Sequence, residues 1–169
     1  MGHYTIETGI EKLRKLTETL AIPSREVAQR DDAFNVMVVE DDTGHSRLIC
    51  EAARECVINR PIDIVVCETG ETALELLDNY RPGIIILDLH LPVIQGLDIL
   101  KRVRSIPIFH LTPIVILSGV GCDRDIDKCM AAGANAFVEK SSDVKLFRNI
   151  VSGIIDFWGG VCVSRHTYR

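Results

Sequence analysis

IIILDLHLPVIQG, residues 84–96, opens on four consecutive apolar positions, Ile84 to Leu87, and then breaks to an acid, Asp88. A short, continuous, β-branched run of this kind is what a strand needs when helices cover both of its faces, as in a parallel sheet. Similar runs lie on either side of it: Val36-Met37-Val38-Val39, Ile64-Val65-Val66-Cys67, Ile114-Val115-Ile116-Leu117 and Ala136-Phe137-Val138. Helical patterns separate them, near residues 45–58, 71–79, 96–104, 123–132 and 143–158. Regular alternation of strand and helix predicts right-handed crossovers and a doubly wound α/β fold with five parallel strands.

The chain has 169 residues, 47% apolar and 25% charged. One globular domain is expected, large enough for an ordinary core without disulfides or a structural metal. No apolar run approaches the ~20 residues that span a bilayer, and the charged start MGHYTIETGIEKLRK is unlike a secretory leader. A cytoplasmic, non-membrane protein is expected. The six cysteines, Cys50, Cys56, Cys67, Cys122, Cys129 and Cys162, contain no C-x-x-C pair and read as reduced thiols. A net charge of −5 without a Lys/Arg run argues against nucleic-acid binding.

Outside the alternating body, Ile6, Ile10, Leu13, Leu16, Leu20 and Ile22 recur at helical spacing until Pro23, followed by a polar stretch from Ser24 to Asp32. The expected organisation is an amphipathic helix and linker over 1–34, the main domain over 35–158, and a tail over 159–169, with neither end long enough for an output domain. The last helix carries more apolar residues than one stripe needs. Taking Phe147, Ile150, Ile154 and Trp158 as its core face leaves Val144, Val151 and Ile155 for a second contact, either the N-terminal helix or a second subunit in a homodimer.

In doubly wound sheets the ligand site lies beyond the carboxyl ends of the strands. The first strand ends in Glu40-Asp41-Asp42, the third in Asp88, the fourth in Ser118 and the fifth in Lys140. Clustered carboxylates repel unless a cation neutralises them, and Mg²⁺ suits a few carboxylates with waters and a phosphate. A carboxylate so placed can attack phosphorus to give an aspartyl phosphate, while a lysine and a hydroxyl neutralise the transferring oxygens. Each residue alone has a plainer reading as a helix cap, a turn residue or a solvated charge.

Taken together, VVEDD at 38–42, IIILDLHLPVIQGLDIL at 84–100, PIVILSG at 113–119 and AGANAFVEK at 132–140 resemble the receiver domain of two-component response regulators. The resemblance implies the flavodoxin-like strand order 2-1-3-4-5. It makes Glu40 and Asp41 the acidic pair and Asp88 the phosphoacceptor, with the backbone carbonyl of His90 joining Glu40, Asp41 and Asp88 around Mg²⁺. Ser118 becomes the switch hydroxyl, Phe137 the switch aromatic and Lys140 the phosphate partner. Gly96 matches the family loop after the acceptor strand, and Gly119 leaves room for a donor imidazole. The ending Asp156-Phe157-Trp158 resembles stand-alone receivers associated with phytochrome-type sensor kinases.

The function implied is that of a single-domain response regulator. It would take a phosphoryl group from a sensor histidine kinase or histidine phosphotransfer protein and signal to a downstream protein through altered contacts. Two departures accompany the match. Ser141 replaces the proline that usually follows the lysine, so a trans Lys140–Ser141 bond is expected, and His90 stands where smaller polar residues are frequent, leaving dephosphorylation open. A phosphorylation-independent pseudo-receiver is the alternative. A phosphatase of the haloacid dehalogenase type is disfavoured, because His90 occupies the place of its second acid.

Overall fold

The structure, a computed structural model, describes residues 30, 32–119 and 123–161. The expected helix over Ile6 to Ile22, Cys122, and the tail from Cys162 lie outside them. Five parallel strands, β1 (Phe34–Val39), β2 (Ile62–Cys67), β3 (Ile84–Asp88), β4 (Ile114–Ser118) and β5 (Ala136–Glu139), form one sheet. Their order is β2-β1-β3-β4-β5, so the chain reverses direction across the sheet between β1 and β3. The helices are α1 (Thr43–Arg54), α2 (Gly70–Leu76), α3 (Gly96–Ser105), α4 (Asp123–Ala131) and α5 (Val144–Asp156), the last continuing into a π-helical turn over Phe157–Val161.

Successive side chains of a strand point to opposite faces, and the core divides accordingly. Val36, Val38, Ile84, Ile86, Val115 and Leu117 meet Ile49, Ala52 and Ala53 of α1 and Phe147, Val151 and Ile155 of α5. Met37, Val39, Ile85, Leu87, Ile114 and Ile116 meet Ala73 of α2, Ile99, Leu100 and Val103 of α3, and Cys129 of α4. The strands that read as continuously apolar are thus the ones with a helix layer on each side.

Local chemistry fixes where the helices begin. Asp42 accepts the His45 N–H at 2.7 Å at the start of α1, Thr69 accepts the Thr72 N–H at 3.2 Å at the start of α2, and Asp143 accepts the N–H groups of Lys145 and Leu146 at 2.9 and 3.1 Å at the start of α5. In the last turn of α3, Arg104 donates to the carbonyls of Gly133, Phe109 and Thr112 and to Asn135 Oδ1, at 2.8 to 3.0 Å. It ties the end of α3 to the segments that feed β4 and β5.

Two expectations need correction. The first helix stops at Arg54 rather than near 58, because Glu55 caps it and the chain turns to bring Val57 N–H onto Asp156 Oδ1 at 2.8 Å. In α5, Val151 and Ile155 are fully buried core residues, whereas Ile150 is only partly covered. The helix packs on the sheet and on α1 at once, so the buried arc is swung toward α1. Of the three residues assigned to a second contact, only Val144 remains exposed.

Candidate functional site

The carboxyl ends of β1, β3, β4 and β5 bring Glu40, Asp41, Asp88, Ser118 and Lys140 to one edge of the sheet. Parallel pairing sets this alignment: Val39 lies opposite Leu87, Asp88 opposite Leu117 and Ser118 opposite Glu139. One residue past those positions on β1 and β5 stand Glu40 and Lys140. The Lys140 N–H bonds the Ser118 carbonyl at 2.8 Å, continuing the ladder to the residue that carries the ammonium.

Lys140 Nζ lies 2.8 Å from Asp88 Oδ2 and 2.8 Å from Glu40 Oε2. Glu40 and Asp88 are buried and Asp41 is exposed, yet ligand atoms from the three carboxylates all fall within 4.8 Å of one another. Three acids facing one ammonium leave two formal negative charges uncompensated in a partly buried site. That donor set, oxygen only and bearing this excess charge, fits a hard divalent cation.

Burial raises the Glu40 carboxyl above its usual range, against the opposing pull of the Lys140 ammonium. Burial alone would depress Lys140, but its hydrogen bonds to Asp88 and Glu40, and their charges, outweigh this and hold its pKa above the ordinary value. Asp42 points elsewhere: it is exposed, and its cap bond to the His45 backbone lowers its pKa.

Ser118 is fully buried at the end of β4, and Phe137 on β5 is half-buried against the core on the α3 and α4 side. Gly119 is exposed, and a Cβ there would meet nothing within 4 Å. A Cβ on Gly96 would stand 2.1 Å from the Asp88 carbonyl oxygen, so only glycine lets α3 begin this close behind the end of β3. His90 is exposed; its N–H donates to Asp88 Oδ1 at 3.1 Å. All peptide bonds among the described residues are trans, including Lys140–Ser141.

Two features escape a sequence reading. His45 places Nδ1 3.5 Å from both Glu40 Oε1 and Asp42 Oδ1 and leans its ring on Phe147 of α5 at 6.1 Å. The cap of α1 by Asp42 three residues earlier was the available signal. The other is Val93, which has φ of 64°, a conformation no pattern of apolar residues announces.

A family model described as the response regulator receiver domain matches residues 36–152. The response regulator Rcp1 of Synechocystis is 27% identical over 130 residues, a match covering 73% of this chain and 87% of Rcp1. The probable transcriptional regulator ycf29 of Porphyra purpurea is 27% identical over 123 residues, covering 70% of this chain and 57% of ycf29, so the chain spans little more than half of that relative. Among solved structures, the phosphorylated cyanobacterial phytochrome response regulator RcpA superposes with a TM-score of 0.72 at 29% identity, over 78% of this chain and 97% of that one. The Mn²⁺-bound form of Rcp1 gives 0.70 at 26% identity, over 76% and 96%.

Proposed function

The chain belongs to the response regulator receiver domain family, and from that premise we propose that it accepts a phosphoryl group on Asp88 from a phosphohistidine of a sensor histidine kinase or phosphotransfer protein. The observation that carries this is the buried Asp88 carboxylate with Lys140 Nζ at 2.8 Å and two further carboxylates within 4.8 Å. In the reaction an Asp88 oxygen attacks phosphorus, a P–O bond forms, and the P–N bond to the donor imidazole breaks with its electron pair staying on nitrogen.

Glu40, Asp41 and Asp88, with the His90 carbonyl, would hold a divalent cation, which we take to be Mg²⁺. When bound, it supplies positive charge to the phosphoryl oxygens. Lys140 adds a second positive charge at the same oxygens, and its bond to Asp88 orients the nucleophile. The Ser118 hydroxyl would then meet the phosphoryl group and Phe137 move inward behind it, changing the surface that a downstream protein reads. The protein acts as a phosphoacceptor that assists its own phosphoryl transfer and dephosphorylation, rather than as a turnover enzyme. RcpA is a phosphorylated phytochrome response regulator, which supports a stand-alone signalling role here. The free thiols Cys50, Cys56, Cys67 and Cys129 fit the cytoplasm. No described helix is long and apolar enough to cross a membrane. A homodimer through the last helix belongs to the same proposal.

Incubation with acetyl phosphate and Mg²⁺, followed by intact mass and peptide mapping, tests the assignment. One phosphoryl group on Asp88 is expected, and none in Asp88→Asn. Labelling at another residue, or undiminished labelling of that variant, overturns it.

A further inference from the structure

In a parallel sheet every crossover returns the chain to the amino end of the next strand. The segments entering β2 and β4 and the last turn of α4 therefore lie together at the edge of the sheet opposite Asp88. Four large apolar side chains stand in solvent there: Val57 before β2 is 86% exposed, Ile108 and Leu111 before β4 are 48% and 67% exposed, and Met130 on α4 is 45% exposed. The last three sit beside carbonyls that Arg104 draws together, those of Phe109, Thr112 and Gly133. A single exposed valine or leucine is ordinary, but four at one edge are a candidate contact surface.

At Val57 this edge is hollowed into a groove of about 540 Å³, lined also by Ile58, Arg60, Asp156, Gly159 and Gly160. Its walls are fixed by hydrogen bonds. Asp156 Oδ1 accepts the Val57 N–H at 2.8 Å, so the valine is held outward by its own backbone. Arg60 donates to the Gly159 carbonyl at 2.8 Å and lies 4.7 Å above the Phe34 ring. The chain enters the fold beside this groove: the Phe34 N–H donates to the Pro61 carbonyl at 2.7 Å, and Arg30, the first described residue, donates from Nε to Asp63 Oδ2 on β2 at 2.9 Å.

We propose that residues 6–22 form a helix that docks its apolar stripe along this edge, seated in the groove at Val57 and covering Ile108, Leu111 and Met130. The stripe is Ile6, Ile10, Leu13, Leu16 and Leu20. A helix of that length measures about 25 Å, and the edge of five strands is about 19 Å wide, so one helix is long enough to cover it. Residues 23–29 join the segment to Arg30 and reach at most about 23 Å when extended, which keeps the segment beside its groove at high effective concentration. Charge fits as well. Glu7, Glu11 and Glu18 run along one side of the stripe, and Arg60, whose hydrogen bond goes to a neutral carbonyl, can pair with a carboxylate there. Docking at this edge leaves the opposite end, with Asp88, open to partners.

Amide hydrogen exchange of the full chain, read by mass spectrometry of its peptides, tests the contact from both sides. In the parent, amides of residues 6–22 should exchange at least about tenfold more slowly than in an unstructured chain. Val57→Asp should abolish that protection while leaving β1 and β3 as slow as in the parent, because the side chain it replaces is exposed. The reciprocal variant, Leu13→Asp with Leu16→Asp, alters only the segment and should speed exchange in peptides covering residues 57–60 and 159–160. Unprotected amides over 6–22 in the parent overturn the proposal. So does protection that survives Val57→Asp, which would place the helix elsewhere, and so do groove peptides indifferent to the Leu13 and Leu16 changes. Protection that falls on dilution would mean that a second copy supplies the helix, and overturns the intramolecular contact.

Discussion

Glu40 is the residue on which the site's electrostatics turn. It is buried beside a lysine, and burial still leaves its carboxyl above its usual range. A group with a raised folded pKa binds its proton more readily in the folded state, so its favourable contribution is present below the unfolded value near 4.5 and is lost as pH rises through the folded value. In chelator, Glu40→Gln should therefore match the parent near pH 4 and gain on it toward pH 7, as measured by urea unfolding. With Mg²⁺ the order should reverse, because only the parent keeps the full carboxylate set. A gain that is independent of pH would contradict the burial account. Gly96 is decided by space rather than charge: a methyl group 2.1 Å from the Asp88 carbonyl must displace backbone. Gly96→Ala should cost about 1–3 kcal/mol by denaturant unfolding and slow acetyl phosphate labelling of Asp88.

At the scale of the elements, strand ends were more legible than helix faces. The runs of β1, β3 and β4 mark strands because a strand with helices on both sides is apolar at every position, and the acid or hydroxyl at their ends marks where each leaves the core. Thus Asp88 and Ser118 prove to be the last residues of β3 and β4, and with Glu40, Asp41 and Lys140, which follow β1 and β5, they form the candidate site. The face of α5 was not legible. Its apolar residues nearly surround it, and which of them face inward depends on α1 as well as the sheet, a neighbour that helical periodicity does not contain. Val151 and Ile155 are fully buried against that pair of neighbours. Ile155→Ala should cost about 2–5 kcal/mol, whereas Val144→Ser should stay within about 0.5 kcal/mol. Thermal or urea unfolding of both decides it, and equal costs would mean that α5 is not seated as described. Val93 was illegible for a different reason: its conformation is imposed by the loop's hydrogen bonds against its own preference, so its residue type points away from the truth.

For the molecule as a whole, two helix layers followed from the continuously apolar strand runs and the alternation of strand with helix, whereas the strand order did not. Nothing in the spacing of apolar runs says that β2 lies outside β1 rather than beside β3, and the order was available only through the family resemblance. Assembly is likewise a property of the whole surface. Leu146 on α5 and Phe157, the first residue of the turn that continues it, are 50% and 52% exposed, and Ile150 between them is only partly covered. With Gly153, they recur at i, i+4, i+7 and i+11, the spacing of one outward stripe along a helix. A Cβ on Gly153 would meet nothing within 4 Å, so a second helix could approach its backbone closely. The proposed homodimer is accordingly expected to bury this stripe against its own symmetry mate, in place of Val151 and Ile155, which already serve the core. Exposed residues contribute little to the fold of the monomer, so Leu146→Asp should leave unfolding within about 0.5 kcal/mol while placing a charge in the paired face. Multi-angle light scattering should then give a dimer for the parent and a monomer for Leu146→Asp, both labelled at Asp88 by acetyl phosphate. A parent that remains monomeric at high concentration removes the dimer.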